Sequence, residues 1–249
     1  MEAEIIQLGV ISSLLAGLAT GAGALPVLFT RRISDRLLDV MLGFSAGVML
    51  AATSFSLIVP AIELSGPWVA VFGVVLGAFV LHLVDRSVPH FHPLLGAEGP
   101  SSKLPRVWLF VLAITIHNFP EGLAVGVSFG TGDVAAGLVI ALAIGLQNMP
   151  EGLAVALPLL REGYSRGKSL WYGTLTGLVE PVGGLLGVAL VSIFIPILPW
   201  GLAFAAGAML FVVSDEMIPE SHRKGFEREA TFGLIAGFVI MMALDCMIT

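Results

Sequence analysis

The chain has 249 residues, of which 57% are hydrophobic and only 12% charged, with a formal net charge of −6 and a mean hydropathy of +0.97. Soluble domains carry about 25% charged residues, so an ordinary soluble globule is excluded, and the acidic balance disfavours nucleic acid as a partner. The single cysteine, Cys246, allows neither an intrachain disulfide nor a thiolate cluster.

Apolar runs long enough to cross a bilayer, about 20 residues each, lie near 5–30, 37–62, 66–86, 106–129, 134–160, 169–195, 200–220 and 229–248. The reading is an all-α polytopic membrane protein with eight transmembrane helices. Period-two alternation in segments of about 10 residues, the mark of a membrane β-barrel, does not occur. The first run follows Glu2 and Glu4 rather than a basic segment and is long for a signal sequence, so no cleavable signal peptide is expected. Between spans 3 and 4, residues 87–105 carry His90, His92 and several prolines, and read as a flexible loop.

Spans 4 and 5 each hold the same phrase at their midpoint: His117-Asn118-Phe119-Pro120-Glu121-Gly122, then Gln147-Asn148-Met149-Pro150-Glu151-Gly152. Span 6 contributes Glu180-Pro181 at similar depth. Span 7 carries Asp215, Glu216, Glu220 and His222 toward its end, and span 8 carries Asp245 near its own end. Asp85, late in span 3, abuts Arg86, with which a local ion pair is an equal alternative to a functional role.

All twelve Lys and Arg fall in alternate connections. Arg31, Arg32 and Arg36 lie between spans 1 and 2; Arg86, Lys103 and Arg106 between 3 and 4; Arg161, Arg166 and Lys168 between 5 and 6; Arg223, Lys224 and Arg228 between 7 and 8. The positive-inside rule makes these connections cytoplasmic and puts both termini outside, in a multi-pass plasma (inner) membrane protein.

An offset of 160 aligns the two ends of the chain. Phe44-Ser45-Ala46-Gly47-Val48-Met49-Leu50 matches Phe204-Ala205-Ala206-Gly207-Ala208-Met209-Leu210 (204 − 44 = 160), and Asp85 matches Asp245 (245 − 85 = 160). Spans 1–3 (about 5–86) thus repeat as spans 6–8 (about 169–248) in inverted orientation around a central pair, spans 4–5 (about 106–160), in one transmembrane domain of 3 + 2 + 3 plan. Inverted repeats with a site at their midplane mark secondary transporters.

His117 and Glu121 share one helix face, as do Gln147 and Glu151, because residues four apart are neighbours on a helix. Pro120, Pro150 and Pro181 free the carbonyls of Ile116, Leu146 and Gly177. Three carboxylates at membrane depth with no Lys or Arg beside them call for a cation. The imidazole of His117 favours a transition metal over Mg²⁺ or Ca²⁺.

These phrases resemble the signature of the ZIP family of divalent metal transporters, and Gln147 resembles its GufA-type branch. The resemblance implies eight spans and a two-part metal centre. One part would use His117, Glu121, Gln147 and Glu151. The other would use Asn118, Glu121, Asn148, Glu151 and Glu180, weakened because some relatives carry Asp where this chain has Asn148. It implies uptake of Zn²⁺ as transported substrate into the cytoplasm, with Fe²⁺, Mn²⁺, Cd²⁺ and Co²⁺ as further substrates, by movement of spans 1, 4, 5 and 6 against 2, 3, 7 and 8. Asp245 is a candidate entrance group; Asp215, Glu216, Glu220 and His222 form a candidate exit relay; His90 and His92 are candidates for metal capture. The partners expected are the metal ion and the lipid bilayer, and Gly- and Ala-rich faces permit a homodimer. An enzyme is not expected: His-Glu-x-x-His, Glu-x-x-His and a P-loop are missing from the sequence. A selective divalent cation channel using the same carboxylates is the rival reading.

Overall fold

The computed structural model describes residues 2–30, 32–92 and 96–248, apart from the side chains of Glu2 and His92. Among the described residues, eight helices are long and apolar enough to cross a membrane: span 1 (Ala3–Leu28), span 2 (Asp35–Ser65), span 3 (Pro67–Ser87), span 4 (Arg106–Phe129), span 5 (Val134–Arg161), span 6 (Arg166–Ile193), span 7 (Ile195–Ser221) and span 8 (Glu227–Ile248). The chain is an all-α polytopic membrane protein.

The helix starts follow local chemistry. Ser34 accepts from the Leu37 amide, Asp133 from those of Ala135 and Ala136, and Ser165 from that of Lys168, which caps spans 2, 5 and 6. Span 7 begins earlier than its apolar run suggests, because Pro196 and Pro199 occupy first-turn positions where no amide donor is needed.

The three midplane prolines act differently. Pro120 and Pro150 sit inside continuous helices. Span 6 is broken: one helix ends at Gly177 and the next begins at Glu180, immediately before Pro181. Spans 2 and 7 each contain a π-helical segment, Ala52–Ile58 and Val213–Met217. A proline follows each, Pro60 and Pro219, and removes the amide that would close the regular ladder.

The helices pack in two groups. Span 1 lies along spans 5 and 6, and span 4 along span 6; span 2 lies along span 8, and span 3 along span 7. The groups meet where span 2 touches span 5 and span 4 touches span 7. A Cβ added at Gly77 would lie 2.0 Å from the Phe204 carbonyl oxygen, and one at Gly237 would lie 2.1 Å from that of Phe44. Both partners in these two contacts are 160 residues apart (237 − 77 and 204 − 44). Spans 3 and 8 are the least buried, and present Phe72, Phe79, Phe232 and Val239 outward.

The connection read as a flexible loop contains a two-stranded antiparallel hairpin, β1 (His90–His92) with β2 (Gly96–Glu98). Side chains anchor it. His90 is fully buried against Asp85, and Arg106 stacks on the Phe91 ring at 3.8 Å.

Candidate metal centre

His117, Asn118 and Glu121 on span 4, Gln147, Asn148 and Glu151 on span 5, and Glu180 at the break in span 6 are all buried. The glycine after each central glutamate lets its helix approach a neighbour. A Cβ at Gly122 would lie 2.0 Å from the Glu180 carbonyl oxygen, and one at Gly152 would lie 1.8 Å from that of Thr20. Glu121 and Glu180 are thereby brought to adjacent turns of touching helices.

Hydrogen bonds tie the set together. Gln147 Nε2 donates to Glu121 Oε1 at 2.6 Å. Asn148 Nδ2 donates to Glu180 Oε1 at 2.7 Å and to the Ala16 carbonyl at 2.8 Å. Ser45 Oγ, from span 2, lies 2.8 Å from Glu151 Oε1 and 3.0 Å from the Gln147 carbonyl. His117 Nε2 lies 2.7 Å from Glu216 Oε1 on span 7.

Six further polar atoms of this set are buried without a hydrogen-bond partner: Glu121 Oε2, Glu180 Oε2, Gln147 Oε1, Asn148 Oδ1, Asn118 Oδ1 and His117 Nδ1. Unpaired buried acceptors are costly, and no Lys or Arg is among the buried residues described. Carboxylate, amide oxygen and imidazole together fit a divalent transition ion.

A second cluster lies outside this set. Ligand atoms of Asp85, His90 and Glu216, all buried, fall within 4.8 Å of one another. His90 Nε2 is 3.0 Å from Asp85 Oδ1 and 3.7 Å from Glu98 Oε2, and its Nδ1 is 2.9 Å from the Val88 carbonyl. Burial opposes a charge on this ring, but the Asp85 and Val88 contacts and the charges of Asp85 and Glu216 outweigh it and raise the pKa to about 9. Asp85 is therefore engaged by a histidine rather than by the adjacent Arg86.

The other acids and histidines named from the sequence are more dispersed. Glu220 pairs with Arg223 at 2.9 Å and Lys224 at 3.3 Å. His222 is held locally by the Ile218 carbonyl, Ser221 and Thr231. Asp215 lines a recess of about 580 Å³ with His82, Asp85, Arg86 and Glu98. Asp245 accepts from Ser56 Oγ and lines a recess of about 530 Å³ that also holds Glu63 and Asp133. The His92 side chain lies outside the described residues. Sequence reasoning did not identify Ser45, Glu63 or Asp133, and it did not connect Glu216 with His117.

Fold and buried polar cluster together define a multi-pass helical membrane protein with an intramembrane polar centre. The family model described as ZIP Zinc transporter matches residues 93–245. The chain is 52% identical to the zinc transporter GufA of Myxococcus xanthus, across 95% of this chain and 97% of that one. It is 48% identical to the zinc transporter ZIPB of Bordetella bronchiseptica, across 91% and 77%, and 37% identical to the human zinc transporter ZIP11, across 91% and 93%. The chain belongs to the ZIP family and is a transporter rather than an enzyme.

Proposed function

We propose that this protein carries divalent transition-metal ions, zinc foremost, across the plasma (inner) membrane into the cytoplasm. The observation that carries the reading is the set of buried, unpartnered acceptors on spans 4, 5 and 6: Glu121 Oε2, Glu180 Oε2, Gln147 Oε1, Asn148 Oδ1, Asn118 Oδ1 and His117 Nδ1. Such a set is stabilised by a cation, and its donor chemistry suits zinc. Three similar proteins named zinc transporters support the same cargo.

The site would comprise His117, Glu121, Gln147 and Glu151 as the stronger position, with Asn118, Asn148 and Glu180 completing a weaker one. The ion enters near Asp245, binds between spans 4, 5 and 6, and passes to Glu216, which already touches His117. Asp85, whose carboxylate falls within 4.8 Å of that of Glu216, then receives it at the cytoplasmic side. Both termini stand outside, a placement supported by the twelve basic residues confined to alternate connections. The whole chain forms one domain of inverted repeats, a plan supported by the matched Gly77–Phe204 and Gly237–Phe44 contacts. The packing of spans 1, 4, 5 and 6 apart from 2, 3, 7 and 8 supports alternating access by movement of one group against the other.

The test is zinc flux into proteoliposomes with Fe²⁺, Mn²⁺, Cd²⁺ or Co²⁺ as competitors. A carrier gives saturable zinc uptake that the better competitors inhibit. Flux that rises without saturation, steeply with voltage, contradicts a carrier and supports a channel.

A further inference from the structure

Ser45 belongs to span 2, in the helix group that carries none of Glu121, Glu151 and Glu180. Its side chain is fully buried, with Oγ 2.8 Å from Glu151 Oε1 and 3.0 Å from the Gln147 carbonyl. Glu151 Oε1, the nearer of the two acceptors, therefore shares with the Gln147 carbonyl a hydroxyl proton supplied from across the boundary between the two groups. The other two carboxylates are held from within their own group, Glu121 by Gln147 Nε2 and Glu180 by Asn148 Nδ2.

We infer that Ser45 is a positioning residue for the metal substrate, whose hydroxyl makes the affinity of the Glu151 part of the site depend on where the two helix groups stand. The inference rests on the metal site proposed above and deepens it.

A ligating carboxylate has two oxygens. With Oε1 held by Ser45, Glu151 keeps Oε2 and a lone pair on Oε1 for the ion, in a fixed orientation. Partners that orient a ligand in this way are worth about 10–100-fold in metal affinity. A contact of 2.8 Å is lost once its partners separate by about 1 Å, because hydrogen bonds fade beyond about 3.5 Å. Span 2 packs along span 8, so Ser45 stays behind when spans 1, 4, 5 and 6 move. Glu151 then loses its orienting partner as the ion must leave. A ligand shifts a conformational equilibrium only through its differential affinity for the two states, and Ser45 supplies part of that difference.

The device is one-sided. The residue 160 positions after Ser45 (45 + 160 = 205) is Ala205, which has no hydroxyl. Among the described contacts of the three carboxylates, Glu151 is the one bonded to the opposite group, while Glu121 and Glu180 are held by Gln147 and Asn148; His117 also crosses the boundary, to Glu216.

The experiment measures zinc uptake into proteoliposomes by wild type, Ser45→Ala, Ser45→Cys and Glu151→Ala, with zinc binding to the same proteins in detergent. Ser45→Ala is expected to raise KM and the zinc dissociation constant about tenfold while Vmax is held or increased. Ser45→Cys keeps the volume with a weaker donor and falls between. A purely structural role would lower Vmax through loss of active protein and leave KM unchanged. Equal KM and equal zinc affinity in wild type, Ser45→Ala and Ser45→Cys, with uptake abolished in Glu151→Ala, overturns the role of Ser45 and leaves the metal site standing. Undiminished uptake by Glu151→Ala overturns the site itself.

Discussion

His117 Nε2 sits 2.7 Å from Glu216 Oε1, joining span 4 to span 7 across the boundary between the helix groups. An incoming ion that uses His117 must compete with this carboxylate. Replacing Glu216 by Gln exchanges a charge-assisted contact for a neutral one, a difference on the order of 1 kcal/mol. KM for zinc in Glu216→Gln should fall about fivefold, the ratio that such an energy sets. A KM that rises instead would make Glu216 a ligand of the loaded site.

Asn148 donates to Glu180 and to the Ala16 carbonyl, and its Oδ1 has no partner. Asn148→Asp adds a charge where the weaker metal position is proposed and removes the donor that now hydrogen-bonds Glu180. The variant should bind a second zinc ion at concentrations where wild type binds one, with overall affinity raised at least tenfold. Calorimetry or equilibrium dialysis reads the stoichiometry directly; one ion in both proteins is the contrary result.

Gly152 tests the packing that holds span 5 against span 1. A Cβ there would lie 1.8 Å from the Thr20 carbonyl oxygen, whereas one at Gly145 meets nothing closer than 3.9 Å. Gly152→Ala should cost about 1–3 kcal/mol by overpacking, seen as a lower Tm in detergent. Gly145→Ala should leave Tm unchanged or raise it, since alanine is the better helix former. Equal melting of the two variants would refute the close approach.

The hairpin offers a pH test. Although burial opposes it, contact with Asp85 and the Val88 carbonyl raises the His90 pKa from the ordinary imidazole value of 6.5 to about 9 when the hairpin is docked. A raised folded pKa means that the stabilisation is fully present below the undocked value and is lost as pH rises through the docked one. A spin label on Ala97→Cys, in a Cys246→Ser background, should be immobile a unit or more below pH 9 and mobile above it. In His90→Ala it should be mobile throughout. Mobility independent of pH in both proteins is the contrary outcome.

Much of the architecture was legible in the sequence because membrane helices announce themselves locally. Apolar runs and the alternation of Lys and Arg gave eight spans, and the spacing of His117 with Glu121 and Gln147 with Glu151 placed polar groups on single helix faces. What lies between helices left weaker traces. Ser45 is one hydroxyl in a run of small residues, and nothing in its neighbours says that it faces span 5. Glu216 reads as an acid near a helix end until the π-helical segment and the packing of span 7 on span 4 bring it to His117. The hairpin at His90–Glu98 is too short for periodicity to reveal, and its docking depends on Asp85, Val88 and Arg106. The three midplane prolines look alike in sequence, yet only Pro181 stands at a break in its helix.

Glu121 is the midplane carboxylate that both parts of the proposed centre share, so its removal bears most directly on the account. The measurement is initial zinc uptake by proteoliposomes containing wild type or Glu121→Ala at matched protein content. Uptake by the variant should fall by at least tenfold, with the protein still monodisperse and helical. Uptake equal to wild type would contradict a metal site built on spans 4, 5 and 6.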